Sequence, residues 1–435
     1  MNSRFLTGSA AVALLIGLAA AAPARADDAA PAAPAHPMLG IVQFSGDLEG
    51  GSNFNPDNPK NNINYGQAFT ERSNSFRMNQ AQVTAEKDLD PAATGLDWGF
   101  KFEPMYGTDA RLTHSYTVFD RATNSPYQWD IVEANGSLHL PILFSGGIDV
   151  KAGTYSTPIG YEVINATGNF FYTHSYIFNF GIPLKHTGII TTTHVSPLLD
   201  IWAGIDTGVN AWLPTRGGDN NKAPSFLGGF GLNGLLDGNL TVLALAHVGP
   251  EAGYIQGTSG TPDPNRHDRE IFDVVTSYKI SDAWTIANEL NVIHDDLGVV
   301  GVHSGATAEG AALYSTFKLN DQVTIGGRGE IFRDDQGFFV ATEMSSQGFV
   351  NASRGIPQAV APLSNGKATY GALTFGINYT PPIAMPGTLG LMIRPEVRWD
   401  HAVAPGSTKV FNASSTASGT SNDQFLLSID AVLSF

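Results

Sequence analysis

The sequence contains no cysteine among its 435 residues. Without thiols, the chain cannot carry a disulfide framework, a zinc site with cysteine ligands or a thiol nucleophile. Basic residues are also scarce: 24 Lys and Arg stand against 40 Asp and Glu, so the formal net charge is −16. Because a phosphate backbone is bound by a basic surface, we expect no nucleic-acid partner.

Long apolar runs are missing after the first residues of the chain. The mean hydropathy is −0.05, and no segment beyond the N-terminus approaches the ~20 apolar residues that a membrane helix needs. At the N-terminus, Arg4 precedes the apolar stretch 10–22, and Ala24-Arg25-Ala26 follows it. This order is typical of a secretory signal peptide, to which we assign residues 1–26. The Ala- and Pro-rich residues 27–38 are then a flexible spacer.

The remaining sequence alternates between apolar and polar residues. In QFLLSIDAVLSF (424–435), every second side chain from Phe425 to Phe435 is apolar, and the other face is mixed. LDWGFKFE (96–103) and LGLMIRPEVRWD (389–400) follow the same pattern, with charges on the polar face. Successive side chains of a strand point to opposite faces. We therefore expect the charged faces to contact water and the apolar faces to contact lipid.

The alternating segments number sixteen, and the connections between them differ in length. Connections after even-numbered segments are short, whereas those after odd-numbered segments are mostly long. This predicts an all-β fold, a transmembrane antiparallel up-and-down β-barrel of about 16 strands over residues 39–435, with short periplasmic turns and long external loops. Such a barrel leaves room for a water-filled channel. The segments lie near 41–49, 76–87, 96–106, 130–141, 146–155, 188–196, 199–212, 224–235, 239–248, 270–280, 283–295, 306–319, 322–333, 367–380, 388–401 and 424–435.

Aromatic residues support this arrangement independently. Trp98, Tyr278, Trp284 and Tyr379 lie beside short connections, and Phe435 ends the last segment on the same side. All five fall on the apolar faces of their segments. Aromatic side chains that face lipid gather at the levels of the membrane interface, so we expect these residues to form the periplasmic aromatic girdle.

Several segments resemble a known family. GYEVINATGNFFYTHSYIFN (160–179), PLKHTG (183–188), FSGDLEGG (44–51) and NSFRMNQAQVTAEK (74–87), together with Phe435, resemble the OmpL-like outer-membrane β-barrel porins of the beta-barrel porin-2 family. The resemblance implies a channel in a bacterial outer membrane, with no cofactor. The partners it implies are outer-membrane lipid and lipopolysaccharide, small polar solutes and the barrel insertion machinery, for which a terminal aromatic residue is a signal. A homotrimer is common among porins and stays open here.

The connection 156–187 is the third external loop, and it contains seven aromatic residues between Tyr161 and Phe180. A solvated loop does not require so many, so we expect this loop to pack against other parts of the protein. By analogy with general porins, we predict that it folds into the barrel and narrows it. The alternatives are folding over the outer rim or packing against a neighbouring subunit. The candidate polar lining of this constriction loop is Glu162, Asn165, Asn169, His174, Lys185 and His186.

Charged residues on the predicted water-facing sides of the strands are candidates for the pore lining. Acidic residues outnumber basic ones among them, and because rings of charge set the selectivity of a pore, we predict a weak preference for cations. Two alternatives stay open. Most of these charges are simply solvated and pair across strands, or the cluster around Arg328, Arg394 and Arg398 is a basic ladder that reverses the sign. The pore-lining candidates are Asp97, Lys101, Glu103, Asp149, Lys151, Arg328, Glu330, Arg394, Glu396, Arg398 and Asp400.

Signals for enzyme chemistry or metal binding are weak. GFGLNG (229–234) matches G-x-G-x-x-G, but no helix pattern follows it, so we expect no dinucleotide site. His294 and the two aspartates after it stand at the end of a strand, where barrel-embedded hydrolases keep catalytic groups, yet no partner nucleophile is evident. The eleven histidines are scattered, without an H-x-x-x-H pair on one strand face, and we predict no metal site.

These features together predict a non-enzymatic outer-membrane porin. In this prediction, small polar solutes or ions diffuse passively through the lumen of the barrel. Two other functions stay open, an outer-membrane hydrolase embedded in a barrel and a surface adhesin or receptor barrel. The long external loops are compatible with an adhesin, and conductance in a planar bilayer would distinguish a porin from a hydrolase.

Overall fold

The structure of the protein is a computed structural model. It describes two residues near the N-terminus, His36–Pro37, and most of the barrel. The predicted signal peptide, residues 1–26, lies outside the described residues, and so does the predicted spacer except for His36–Pro37. The described residues are 36–37, 42–90, 93–120, 122–123, 125–213, 219, 221–251, 265–296, 305–340, 368–383, 389–403, 409–412 and 419–435.

Sixteen antiparallel strands form one closed sheet, as predicted. Each strand pairs with the next one in the chain, and β16 pairs with β1 through Leu433 and Leu48. His36–Pro37 adds a two-residue bridge to the start of β1. The strands are β1 (Gln43–Phe54), β2 (Ser75–Lys87), β3 (Asp97–Gly107), β4 (Gln128–Leu140), β5 (Ile148–Ser156), β6 (Lys185–Ser196), β7 (Leu199–Asp206), β8 (Ser225–Gly234), β9 (Leu240–Pro250), β10 (Asp268–Lys279), β11 (Trp284–Asp295), β12 (Ala306–Lys318), β13 (Val323–Asp334), β14 (Ala368–Tyr379), β15 (Gly390–Val403) and β16 (Asp423–Ser434).

Short and long connections alternate around the barrel, which confirms the predicted pattern. Two strand bounds differ from the prediction by more than three residues. β1 continues beyond residue 49, because its small residues weaken the alternation while its backbone still pairs with β16, Phe54 lying opposite Leu427. β7 ends at Asp206 rather than at 212, and Gly208 just beyond this end adopts a φ of 109°, which lies outside the extended region. The connections after odd-numbered strands are 55–74, 108–127, 157–184, 207–224, 251–267, 296–305, 335–367 and 404–422.

The two faces of the strands differ in exposure as the alternation predicts. On β16, Phe425 and Leu427 are 50% and 53% exposed on the outer face, whereas Leu426 and Asp430 are buried on the inner face. Of the five aromatic residues beside the short connections, Trp98, Trp284, Tyr379 and Phe435 are likewise exposed, and Tyr278 is half-buried. An outer face of this kind fits contact with lipid.

The buried core of the molecule lies inside the barrel. The long connection 157–184 contributes many of its side chains, and these pack against inward-pointing residues of the strands such as Tyr314, Phe332 and Tyr370. Short helical segments occur at α1 (Ala110–Thr113), at the 3-10 turn Ala166–Gly168 and at α2 (Tyr176–Phe180), while Leu235–Gly238 is a tight turn with left-handed residues. Among the described residues, no helix is long and apolar enough to cross a membrane.

Candidate functional site

The third external loop, defined by the structure as residues 157–184, lies inside the barrel. Inward-pointing arginines of β13 and β15 hold it there. Arg328 Nη1 donates to Glu162 Oε1 at 2.7 Å and to the carbonyl oxygen of Thr173 at 2.7 Å. Because the side chain of Arg328 is fully buried, water does not screen this ion pair, and the contact between loop and wall is correspondingly strong.

Arg394 binds a different part of the same loop. Its Nη1 atom donates to the carbonyl oxygens of Ala166 and Asn169 at 2.8 and 2.7 Å. Its Nη2 atom donates to Asp430 at 2.6 Å and to Glu49 at 2.8 Å. The two carboxylates balance the buried guanidinium, so Arg394 can turn its remaining donors toward the loop backbone.

Arg398 is the third of these arginines on β13 and β15. It pairs with Glu330 at 2.8 Å and with Asp400 at 2.8 Å, and its Nη1 atom lies 3.3 Å from the carbonyl oxygen of His174. Its guanidinium carbon also lies 5.4 Å from the ring centroid of Tyr176. This arrangement combines ion pairs with a cation–π contact.

Carboxylates of the wall accept hydrogen bonds from the loop backbone. Glu396 on β15 accepts from the N–H groups of Tyr172 and Thr173 at 2.9 and 3.1 Å. Glu330 on β13 accepts from the N–H of Tyr176 at 2.6 Å, which is the first residue of α2. A buried backbone donor without a partner is costly, so these acids allow the loop to lie in the interior without a regular structure of its own.

Glu162, the partner of Arg328 on the loop, has three further hydrogen-bond contacts. Besides Arg328, it lies 2.8 Å from His174 Nδ1, and it accepts from the N–H of Ser175 at 3.0 Å and from the hydroxyl of Tyr314 at 3.1 Å. Burial by itself would raise the pKa of Glu162, but Arg328 and His174 outweigh it and hold the pKa at about 2. The carboxylate is therefore charged throughout the physiological range.

Glycines on the inner face of the wall provide room for large side chains of the loop. A Cβ atom on Gly326 of β13 would overlap the ring of Phe170, and one on Gly310 of β12 would lie 2.5 Å from Ile177. On β1, a Cβ on Gly51 would lie 2.6 Å from the ring of Tyr172. The wall is thus shaped to fit the loop, not only charged to bind it.

The six residues predicted to line the constriction are in two places. Glu162, Asn165, Asn169 and His174 belong to the loop; Asn165 accepts from the N–H of Thr167 at 2.8 Å, and Asn169 donates to the carbonyl oxygen of Val163 at 2.7 Å. These two asparagines fix the loop's own backbone.

Lys185 and His186 lie in β6 rather than in the loop. Lys185 pairs with Asp130 of β4 at 2.5 Å, and His186 Nε2 lies 2.9 Å from the hydroxyl of Thr157. The predicted end of the loop at 187 was thus too late, because Lys185 and His186 already pair with β5. The role of the six residues as a constriction lining stays a prediction.

The eleven predicted pore-lining residues all point inward, but they divide into two groups. The six on β13 and β15, from Arg328 to Asp400, are buried against the loop. These six side chains contact the loop instead of the water that alternation predicts, because alternation identifies an inward face but not what fills the space in front of it; their role as pore lining stays a prediction.

The five candidates on β3 and β5 have a different environment. The side chains of Asp97, Lys101 and Asp149 are 20%, 35% and 31% exposed, and Lys151 is exposed. Glu103 is buried, 3.2 Å from Lys101. The wall of β3 to β5 therefore keeps charged side chains that water can reach.

Several residues of the loop contacts were absent from the sequence-based candidates. Gln80 of β2 donates to the carbonyl oxygen of Ile164 at 2.6 Å and accepts from the N–H of Ala166 at 3.1 Å. Asn79 accepts from the hydroxyl of Tyr172 at 2.9 Å. The signal available in the sequence was the run of amides and small residues on β2 and on the inward faces of β12 to β14.

The weak enzyme signals have ordinary structural positions. Gly229–Gly234 lies within β8. His294 Nδ1 lies 2.8 Å from the hydroxyl of Thr307, and its Nε2 atom lies 3.4 Å from Asp296. Asp295 pairs with Arg269 at 2.6 Å.

Comparison with solved structures shows the same type of fold. The chain is similar to OprB of Pseudomonas putida at high pH (13% identity, 92% of this chain and 95% of that chain, TM-score 0.55). It is also similar to an anion-selective porin from Comamonas acidovorans (11% identity, 91% of this chain and 99% of that chain, TM-score 0.54). A third similar structure is OmpT of Vibrio cholerae (11% identity, 91% of this chain and 97% of that chain, TM-score 0.51). At this identity, the likeness concerns the fold.

A search of curated proteins returned no significant match. A family model does match: it describes the beta-barrel porin-2 proteins, which are OmpL-like, and it covers residues 41–435. The chain belongs to this family of β-barrel porins.

Proposed function

We propose that this protein is an outer-membrane porin through which small polar solutes and ions diffuse passively. Membership of a porin family supports the general class. The observation that carries the proposal is the loop 157–184, fixed inside the barrel by buried ion pairs such as Arg328–Glu162. A loop held in this way narrows a wide barrel to a defined opening and leaves the strands unchanged. Diffusion breaks no bond and requires no cofactor.

The proposed path runs between the loop and the part of the wall that keeps exposed charges. Lys101 and Lys151 contribute positive charge along it, and Glu86, Asp149 and Asp200 contribute negative charge. The side chains of Glu86 and Asp200 are 23% and 17% exposed. Because acids slightly outnumber bases along this wall, a weak cation preference is the expected selectivity.

The residues that hold the loop act on permeation indirectly. Glu162, Asn169 and His174 are buried, so in this proposal they set the position of the constriction rather than touch the solute. Arg328, Arg394 and Arg398 are balanced by carboxylates, which argues against a basic ladder along the path.

The proposed location is the bacterial outer membrane, after export by the N-terminal signal peptide. The exposed apolar outer face fits outer-membrane lipid and lipopolysaccharide, and assembly would involve the barrel insertion machinery. A trimer is proposed for the assembled state; a trimer form is described for OmpT of Vibrio cholerae. Crosslinking in native membranes tests the trimer, and a monomer as the sole species would contradict it.

Planar-bilayer recording tests the proposed function. The purified protein should give ohmic channels, and a variant without residues 163–180 should give a several-fold larger single-channel conductance. Heat-modifiable migration in electrophoresis verifies that the variant still forms a barrel. A folded variant with unchanged conductance would contradict the constriction, whereas a wild-type protein without conductance would contradict the porin itself.

A further inference from the structure

A second buried cluster lies at the external end of the barrel, outside the loop-anchoring contacts described above. It consists of His186 on β6, Asp206 on β7 and His247 on β9, and all three side chains are buried. One donor atom from each residue lies within 4.8 Å of the others. The sequence did not reveal this cluster because its residues come from three strands, and no two of them share a strand face.

The hydrogen bonds around the cluster leave two facing atoms without a partner. Asp206 Oδ1 lies 3.0 Å from His247 Nε2 in a hydrogen bond. Asp206 Oδ2 lies 3.1 Å from His186 Nδ1. Among the described residues, however, neither of these last two atoms makes a hydrogen bond of acceptable geometry, and the same is true of the other ring nitrogen of His247, Nδ1. Buried polar atoms are nearly always paired, so this pair requires an explanation.

The contact between His186 and Thr157 permits the tautomer that a metal ligand needs. The Nε2 atom of His186 lies 2.9 Å from the hydroxyl of Thr157, and this hydroxyl also accepts the N–H of Ile159 at 3.1 Å. When the hydroxyl accepts the ring proton as well, Nδ1 carries a lone pair toward Asp206 Oδ2, and a proton or a metal ion must lie between these two atoms. Histidine ligands of metals commonly donate their other ring N–H to an oxygen in this way.

We propose that His186 Nδ1, Asp206 and His247 Nε2 bind one divalent transition-metal ion of the zinc class. Imidazole and carboxylate donors suit such ions, and ligands of tetrahedral zinc lie about 3.3 Å apart, given bond lengths near 2.0–2.1 Å. The spacings of 3.0 and 3.1 Å, each to a different oxygen of Asp206, are slightly shorter than this, and all three donor atoms lie within 4.8 Å of one another, so the site would form by rotation of these side chains. Asp206 is already oriented by the N–H of Gly208, which donates to it at 2.7 Å.

The bound ion would crosslink three strands at the external mouth. β6 and β7 are neighbours, and β9 is separated from them by β8, so one ion would join a four-strand segment of the wall. This inference concerns the barrel wall and does not depend on what passes through the lumen.

Titration of the tag-free, chelator-treated barrel in detergent tests the site. Addition of Co²⁺ should produce the visible absorption of a tetrahedral complex with nitrogen and oxygen ligands, and Zn²⁺ should displace it at one ion per chain. X-ray absorption of the zinc form should show two imidazole ligands. These measurements use the unmodified protein, so they do not depend on the folding of a variant.

Three variants then assign the ligands. His247→Gln and Asp206→Asn should each weaken zinc binding by more than about tenfold. His401→Gln is the matched control, because His401 also lies beside a carboxylate, Asp423 at 2.8 Å, but outside the cluster. Absence of cobalt absorption in the wild type, or equal zinc affinity in all three variants, would overturn the proposal.

Discussion

At the scale of single residues, Glu162 offers the most direct test of how the loop is held. Glu162→Ala leaves the buried guanidinium of Arg328 without its closest carboxylate on the loop, 2.7 Å away. Breaking one side of a buried pair costs about 3–5 kcal/mol. We therefore expect the loop to leave the wall part of the time, with faster cleavage of 157–184 by protease in the intact barrel and noisier single-channel current.

A matched control separates this effect from the loss of any carboxylate. Asp282 also faces a cation, Lys279 at 3.3 Å, but it is fully exposed in a periplasmic turn. Exposed pairs contribute little, so Asp282→Ala should leave protease cleavage and current noise unchanged. Equal behaviour of the two variants would mean that the Arg328 contact does not hold the loop.

The pH dependence of the loop follows from the same carboxyl group. The pKa of Glu162 is lowered from 4.5 to about 2 in the folded protein. A lowered pKa contributes stability that is fully present above the unfolded value and is lost as the pH falls through the folded value. The part of the conductance change that Glu162 controls should therefore fall between about pH 4.5 and pH 2 and be absent from Glu162→Gln. An acid transition that persists unchanged in Glu162→Gln would contradict this assignment.

Gly326 tests whether the wall must fit the loop sterically. Gly326→Ala places a Cβ atom into the ring of Phe170, and overpacking of this kind costs about 1–3 kcal/mol. We expect a lower thermal midpoint and faster proteolysis of the loop. Gly329→Ala on the same strand is the control, because its Cβ would meet Leu373 at 3.5 Å, an ordinary contact. Identical midpoints for the two variants would argue against a tight fit.

At the scale of elements, the loop is anchored on β13 and β15, and in the proposed arrangement the open side of the lumen lies along β3 to β5. Lys151 of β5 belongs to the open side and is exposed. Lys151→Glu should raise the cation-to-anion permeability ratio by roughly twofold to fivefold, since unit charges a few Å apart in water interact by only about 1 kcal/mol. The reversal potential in a salt gradient measures this ratio.

Lys60→Glu makes the same charge change in the external connection 55–74, where Lys60 is exposed. We expect a much smaller shift in reversal potential for this variant. Equal shifts for the two substitutions would mean that the wall of β5 does not line the path.

The elements were largely predictable from the sequence, whereas the position of the loop was not. Alternation is a local property, so all sixteen strands could be read from neighbouring residues. The pairing of Arg328 with Glu162 joins residues 166 positions apart, and no local pattern specifies it. The aromatic residues of the loop indicated that it packs, but not where. The same limit applies to His186 and His247, which the barrel brings together from separate strands.

At the scale of the whole molecule, closure of the barrel depends on the seam between β16 and β1. The N–H of Phe435 donates to the carbonyl oxygen of Gly46 at 3.0 Å, and the N–H of Gly46 donates back at 3.2 Å. The ring of Phe435 lies where a Cβ of Gly46 would be, at 2.6 Å. The seam therefore combines backbone pairing with an aromatic side chain packed on a glycine.

Phe435→Ala should weaken this seam. It removes the packed ring and keeps both backbone hydrogen bonds, and truncation of a partly exposed aromatic residue costs less than the about 3–5 kcal/mol of a buried one. We expect a lower yield of refolded barrel, measured by heat-modifiable migration. Trp98→Ala, which removes another exposed aromatic side chain beside a short connection, should reduce the yield less. The opposite order would show that the seam does not limit closure.

The loop also has a mechanical consequence for the barrel. It leaves the wall at Ser156 of β5, returns at Lys185 of β6, and is bound through Arg328 to β13, the eighth strand after β5. In a ring of sixteen strands, these two points lie on opposite sides. The loop is therefore a strut across the full diameter of the tube. A hollow cylinder flattens easily under lateral pressure, and a strut of this kind would oppose that deformation from within. The circular cross-section of the barrel would therefore depend on the loop as well as on the hydrogen bonds between the strands.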